Sequence, residues 1–149
     1  MSMFQKIPAF KIPYNGETVE VHPIDLKYIS QSMIVAPDFL TAIAKYDKPL
    51  VRHTAADHVN TPPETLVEML YDESPIVYFA ALENHQTPFE AVLCRWSKIM
   101  PEGTVWDSPA IVERHDDLRE FLKKHNITEE ESRKLPALWI VKTLETIKQ

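Results

Sequence analysis

Apolar residues alternate with polar or proline positions from Phe10 through Ile12 to Tyr14, and again at Val19 and Val21 against Glu20 and His22. Asn15-Gly16 stands between the two runs, and Asn-Gly supplies the positive-φ positions of a two-residue hairpin turn. The pattern predicts a hairpin over residues 9–22, which is marginally stable alone and must pack on something. Beyond it the period becomes helical. Leu40, Ile43 and Ala44, then Leu66, Met69 and Leu70, then Val92, Leu93 and Trp96 recur at helical spacing. Shorter helical pieces are expected between them at 50–57 and 76–83, with Ala55, Ala56, Ala80 and Ala81 as small contact residues. Asp107-Ser108-Pro109 starts a further helix reaching about Lys124, with Ile111, Leu118, Phe121 and Leu122 as its stripe. Thr128 with Glu131 forms a capping box opening a segment that Pro136 divides. Ala137, Ile140, Val141, Leu144 and Ile147 line the last helix, which is expected to close the C-terminal end.

The helical stretches repeat. Residues 51–76 and 77–102 coincide at Val51/Val77, Ala55/Ala81, Thr61/Thr87, Pro62/Pro88, Glu64/Glu90 and Pro75/Pro101. Residues 25–50 fit more loosely, with Pro37 on Pro63, Leu40 on Leu66, Pro49 on Pro75 and Asp38 on Glu64. Ile29, Ile43 and Leu50 fall on Ala55, Met69 and Ile76. Thr61-Pro62-Pro63-Glu64 reads as a helix start in which the threonine accepts from a backbone N–H and the glutamate reaches back. Thr87-Pro88-Phe89-Glu90 repeats it. Two short helices per 26 residues cannot bury their apolar faces alone, so the units must stack. The expected fold is mostly α: a helical-repeat solenoid of three 26-residue units over 25–102. A hairpin cap at 1–24 precedes it and helices at 103–149 follow, in one domain.

"VRHTAADHVNTPPETLVEML" followed by "VYFAALENHQTPFEAVL" resembles the variant leucine-rich repeat, and more distantly the HEAT-like helical repeats. The units of that family read roughly Val-Arg-x-Ala-Val-Ala-x-Asn-x-Asn-Thr-Pro followed by a leucine-bearing helix. The resemblance spans about residues 25–102 and is strongest over 51–96. It implies a right-handed stack of short alternating helices without a strand in the repeat. Two places depart from the family pattern: Ile34-Val35-Ala36 replaces Asn-Thr-Pro in the first unit, and Arg95-Trp96 replaces smaller aliphatic residues in the third. Terminal repeats are often atypical in this way.

Composition narrows the function more than the fold. Twelve prolines against two glycines leave few left-handed backbone positions, so helices start on proline and tight turns are rare. Sixteen Lys and Arg against 22 Asp and Glu give a net charge of −6, which argues against nucleic acid or anionic lipid held by charge. Residues 51–100 carry three basic against seven acidic side chains and are the expected acidic face. No apolar run approaches the ~20 residues of a membrane helix, and the N-terminus has no signal-peptide pattern. A cytoplasmic location away from membranes is expected. The single cysteine, Cys94, excludes an internal disulfide framework and Cys-rich metal sites, and is read as a buried or half-buried structural thiol.

No phosphate loop, nucleophile elbow or paired metal motif is present, and no catalytic residue, cofactor or metal is expected. His53 and Asp57 stand one turn apart, but His58 aligns with Asn84 and His85 with Val59, so this group reads as loop-facing repeat positions. Tyr71, Tyr78, Trp96 and Trp106 read chiefly as packing at the end of the repeats. Asp38, Glu64 and Glu90 recur every 26 residues and are expected to line up. First-turn carboxylates favour the positive end of a helix, which suffices to explain them; a ladder facing a partner is the sharper reading. With Glu68, Tyr71 and Arg95 they form the candidate partner-binding set. The expected function is a non-enzymatic module, an adaptor, inhibitor or regulator that grips a protein partner. The alternative is a helical-repeat nucleic-acid binder or DNA-base-processing enzyme. Against it, Arg52 is the only Lys or Arg within residues 51–94.

Overall fold

Asn15 (φ 52°) and Gly16 (φ 78°) close a tight turn between β1 (Phe10–Tyr14) and β2 (Glu17–Val21), the hairpin expected from the alternation. The computed structural model describes residues 8–148, with side chains described through residue 143. The strands pair antiparallel with Tyr14 opposite Glu17 and Ile12 opposite Val19. A two-residue turn makes Tyr14 and Glu17 the hydrogen-bonded pair, so Pro13, which lacks an N–H, faces away from β2. On that same outer edge the Lys11 N–H donates to the Tyr46 hydroxyl at 3.3 Å.

Ten α-helices follow among the described residues, so the protein is mostly helical with one small two-stranded sheet. The chain divides into two units, Met1–Gln86 and Thr87–Gln149. The first holds the hairpin, α1 (Pro23–Gln31), α2 (Pro37–Ala44), α3 (Pro49–Ala56), α4 (Pro63–Met69) and α5 (Pro75–Glu83). Helix starts at Pro23, Pro49 and Pro75, and at Pro37 and Pro63, keep the 26-residue register. Each proline stands at the first helical position, where its missing N–H costs nothing. Helix α1 packs on α3 and α3 on α5, while α2 packs on α3, on α4 and on β1. Tyr14 meets Phe39 and Phe10 meets Tyr46 edge-on, seating the hairpin on this layer. Ile12, Leu40, Ile43, Val51, Leu66, Leu70 and Val77 form its buried centre.

Polar bonds tie successive turns of this stack together at the repeat period. The His58 Nε2 lies 2.8 Å from the Ser32 carbonyl, while its Nδ1 accepts the Asn60 N–H at 2.9 Å. Those partners assign the proton of a neutral ring to Nε2. One period later Asn84 does the same work: its Nδ2 donates to the His58 carbonyl at 3.0 Å and to that of Ala56 at 2.9 Å, and its Oδ1 accepts the Gln86 N–H. His58 is therefore buried, not loop-facing as the alignment suggested, although Asp57 and His85 are exposed. Asn84 and the histidine occupy equivalent positions because each offers one donor and one acceptor.

The threonine caps do not form as expected. Helix α4 begins at Pro63 with Pro62 as N-cap and no side-chain cap. A proline disfavours the α region for its predecessor, and Pro62 accordingly stays extended (φ −58°, ψ 142°). Thr61 is thus one residue too early to reach an orphan N–H, and it donates instead to the Ala55 carbonyl. Thr87 is displaced likewise, since Pro88 is the N-cap of α6 (Phe89–Ile99). Glu64 and Glu90 fall at the second helical position, whereas a capping box needs the third.

The second unit holds α6, a one-turn 3-10 helix at Val105–Asp107, α7 (Pro109–Glu113), α8 (His115–Lys124), α9 (Glu129–Lys134) and α10 (Ala137–Lys148). The single helix expected up to Lys124 is broken at Arg114 (φ −99°, ψ 46°). That guanidinium donates to the Thr87 carbonyl and to Asp117, and lies over the Phe89 ring. Ser108 caps α7 and Thr128 with Glu131 forms the expected capping box of α9. Helix α10 packs on α6 with Ala137, Ile140 and Val141 buried; the side chains of Leu144 and Ile147 lie outside the described residues. Trp96 is buried and donates to the Thr104 carbonyl, while Trp106 donates to Ser132 beneath the Arg133 guanidinium. Cys94 is half-buried.

Candidate functional site

Asp38, Glu64 and Glu90 each stand in the first turn of a helix, on α2, α4 and α6, where a carboxylate meets the positive end of the helix dipole. Asp38 and Glu64 are exposed in the first unit, whose neighbouring helices α2 and α4 are joined by Thr41 and Thr65 hydroxyls 2.9 Å apart. Glu68 is exposed on α4 beside a small depression lined also by Lys45, Thr65 and Asp72. Tyr71 is exposed just beyond that helix. Glu90 and Arg95 are half-buried on α6 in the second unit.

A shallow groove of about 610 Å³ runs between the hairpin and α2, lined by Lys11, Tyr14, Asp38, Thr41, Lys45 and Tyr46 among others. Asp38 is engaged there: the Tyr14 hydroxyl donates to its Oδ1 at 2.8 Å. That hydrogen bond first, then the loss of solvent and the neighbouring negative charge, raises the Tyr14 pKa. The neutral phenol donates; a phenolate would face the carboxylate as a second anion. The bond is therefore complete below the ordinary phenol range near about pH 10 and is lost as pH rises through the elevated value. Alkaline titration followed by tyrosinate absorbance should show one phenol, absent from Tyr14→Phe, ionising later than in Asp38→Asn. Identical curves for the protein and Asp38→Asn would remove the bond.

Sequence reasoning missed two features. The first is Arg52, whose Nε and Nη2 reach the two carboxylate oxygens of Asp72 at 2.8 and 3.0 Å, while Nη1 donates to the Tyr46 carbonyl. Both side chains are about nine-tenths buried, and the Asp72 hydrogen bond raises the Arg52 pKa further. A lone arginine in an acidic segment was the available signal. The second is an exposed row. Ile24, Leu50 and Ile76 follow Pro23, Pro49 and Pro75 and remain 66, 58 and 52 % exposed, although their neighbours Val51 and Val77 are fully buried. Leu50 and Ile76 read as a repeated apolar position in the sequence, without any indication of which way they face.

The sequence of α3 and α4 has a counterpart among known families, although no curated protein and no solved structure matches the chain. Residues 49–74, from the proline that opens α3 to the residue before Pro75, match the family model of the leucine rich repeat variant. This stretch is similar to that helical repeat, as the sequence resemblance implied.

Proposed function

We propose that the chain is a non-enzymatic interaction module, an adaptor, inhibitor or regulator that binds a protein partner on its stacked helices. The observation that supports this reading is the 26-residue register of α1, α3 and α5, which repeats side chains outward as well as inward. Stacked repeats present extended surfaces of this kind to partners. In the same reading the stack is a right-handed solenoid of three units over 25–102, with the hairpin and the C-terminal helices as its caps, working in the cytoplasm. Asp38, Glu64 and Glu90, with Glu68, Tyr71 and Arg95, supply polar contacts that tune association. No helix among the described residues is long and apolar enough to cross a membrane.

The test is capture by the immobilised full chain from its native lysate, followed by affinity measurement with the purified partner over a range of salt. Glu64→Gln with Glu90→Gln keeps the helix starts and removes two charges. We expect at most a small drop in the urea midpoint, each first-turn carboxylate being worth about 0.3–1 kcal/mol, with affinity reduced several-fold at low salt and less at high salt. Intact affinity at every salt concentration would overturn the role of these acids. Retention on duplex DNA in place of a protein would overturn the reading itself.

A further inference from the structure

We propose that the outer face of α1, α3 and α5 docks a cationic amphipathic helix of another protein. The inference rests on the interaction reading above and adds the site and the partner's chemistry. Ile24, Leu50 and Ile76 occupy the second position of the three helices, one repeat apart, and are more than half exposed in each. Because α1 packs on α3 and α3 on α5, their axes are spaced about 8–10 Å, the usual interval of packed helices. A helix advances about 10.5 Å in seven residues. Apolar side chains at positions i, i+7 and i+14 of one partner helix, laid across the stack, therefore meet the three residues in turn. An amphipathic helix docks through anchors at i, i+3, i+4 and i+7, and the i and i+7 members of that set supply this row.

Charge decides which helix fits. Asp57 and Glu83 lie seven residues beyond Leu50 and Ile76, hence on the same side two turns further on, and both are exposed. An acidic ridge thus runs beside the apolar row over α3 and α5, while α1 carries Gln31 at that position and Lys27 one turn earlier. The partner's Lys and Arg side chains are accordingly concentrated over the α3–α5 end. The surrounding residues agree, since 8–86 contain five Lys and Arg against eleven Asp and Glu. A second copy of this chain would bring a like acidic ridge against this one, and like charges across an interface disfavour that pairing.

The probe is a synthetic helical peptide of about 18 residues with leucine at every seventh position and lysine along one flank. A sister peptide carries glutamate in place of each lysine. Binding to the full chain is read by fluorescence anisotropy. We expect the lysine peptide to bind and the glutamate peptide to bind at least about ten-fold more weakly. Leu50→Ser with Ile76→Ser should weaken the lysine peptide about ten-fold or more with the urea midpoint preserved. Asp57→Lys with Glu83→Lys should invert the preference between the two peptides, an outcome that loss of folding cannot produce. Equal binding of the two peptides, or no effect of either double variant, would overturn the assignment. So would a wild-type dimer in sedimentation that Leu50→Ser with Ile76→Ser converts to monomer. A captured protein partner that binds this serine variant as tightly as wild type would overturn this docking face and leave the interaction reading standing. Failure to capture any protein partner falls on that reading first.

Discussion

Replacing Asp72 with alanine lowers the stability of the chain by about 3–5 kcal/mol, the range expected when one partner of a buried ion pair is removed. Arg52 is held at about nine-tenths burial by two hydrogen bonds to Asp72 and one to the Tyr46 carbonyl. Asp72 also accepts the Ser74 N–H at the start of α5, so the truncation orphans a backbone donor as well as a guanidinium. A chain of this size has about 5–15 kcal/mol of stability in all, so the variant should unfold at much lower urea. Asp72→Asn keeps the acceptor for Ser74 and loses the charge, and should fall between the two. Arg52→Met with Asp72→Leu removes the buried charge outright and should recover much of the loss, because desolvating the pair offsets most of its attraction. Glu130→Ala is the control, since its contact with Lys134 is exposed and worth at most about 1 kcal/mol. Equilibrium urea unfolding orders the variants; an Asp72→Ala midpoint as close to wild type as that of Glu130→Ala would show the pair to be energetically silent.

His58→Ala should cost about 2–4 kcal/mol, combining two half-buried groups that lose their partner with the space left by the buried imidazole. The Ser32 carbonyl and the Asn60 N–H lose their partners together. His58→Asn is expected to cost less than half as much, because Asn84 performs both bonds one repeat later with a shorter side chain. His58→Leu fills the space without restoring either bond and should resemble alanine more than asparagine. The order Asn, then Leu and Ala, in urea midpoints is the expected result. Equal midpoints for asparagine and leucine would assign the position to packing alone.

Both positions owe their roles to contacts twenty or more residues away in the chain. The 26-residue alignment places His58 on Asn84, and the two positions are equivalent. On the alignment alone, with His85 falling on Val59, both read as loop-facing sites. Their equivalence is instead one of hydrogen bonding: each presents a donor to the preceding repeat and an acceptor to its own turn. The acids behave differently. Asp38, Glu64 and Glu90 are where the register places them, in first turns, but the box geometry fails at Glu64 and Glu90 because Pro62 and Pro88, not the threonines before them, are the N-caps of α4 and α6.

What the sequence determined by itself is local. Asn15-Gly16 between alternating runs fixes the hairpin, because few residues tolerate positive φ and a two-residue loop leaves one register. Prolines at 23, 37, 49, 63 and 75 set the helix starts, because a proline is compatible with the first turn and hostile to the interior. Thr128 with Glu131 starts α9 by the same short-range logic. Only the tertiary structure decided which face of each helix is covered. Ile76 and Val77 are adjacent and both apolar, yet one is half exposed and the other fully buried, because packing against the neighbouring helix covers one side only. Arg52 finds Asp72 twenty residues away and His58 finds Ser32 twenty-six away, distances over which local propensity carries no information. Stacking brings those groups together and withdraws them from water, and that burial turns an ordinary arginine and an ordinary histidine into structural ties.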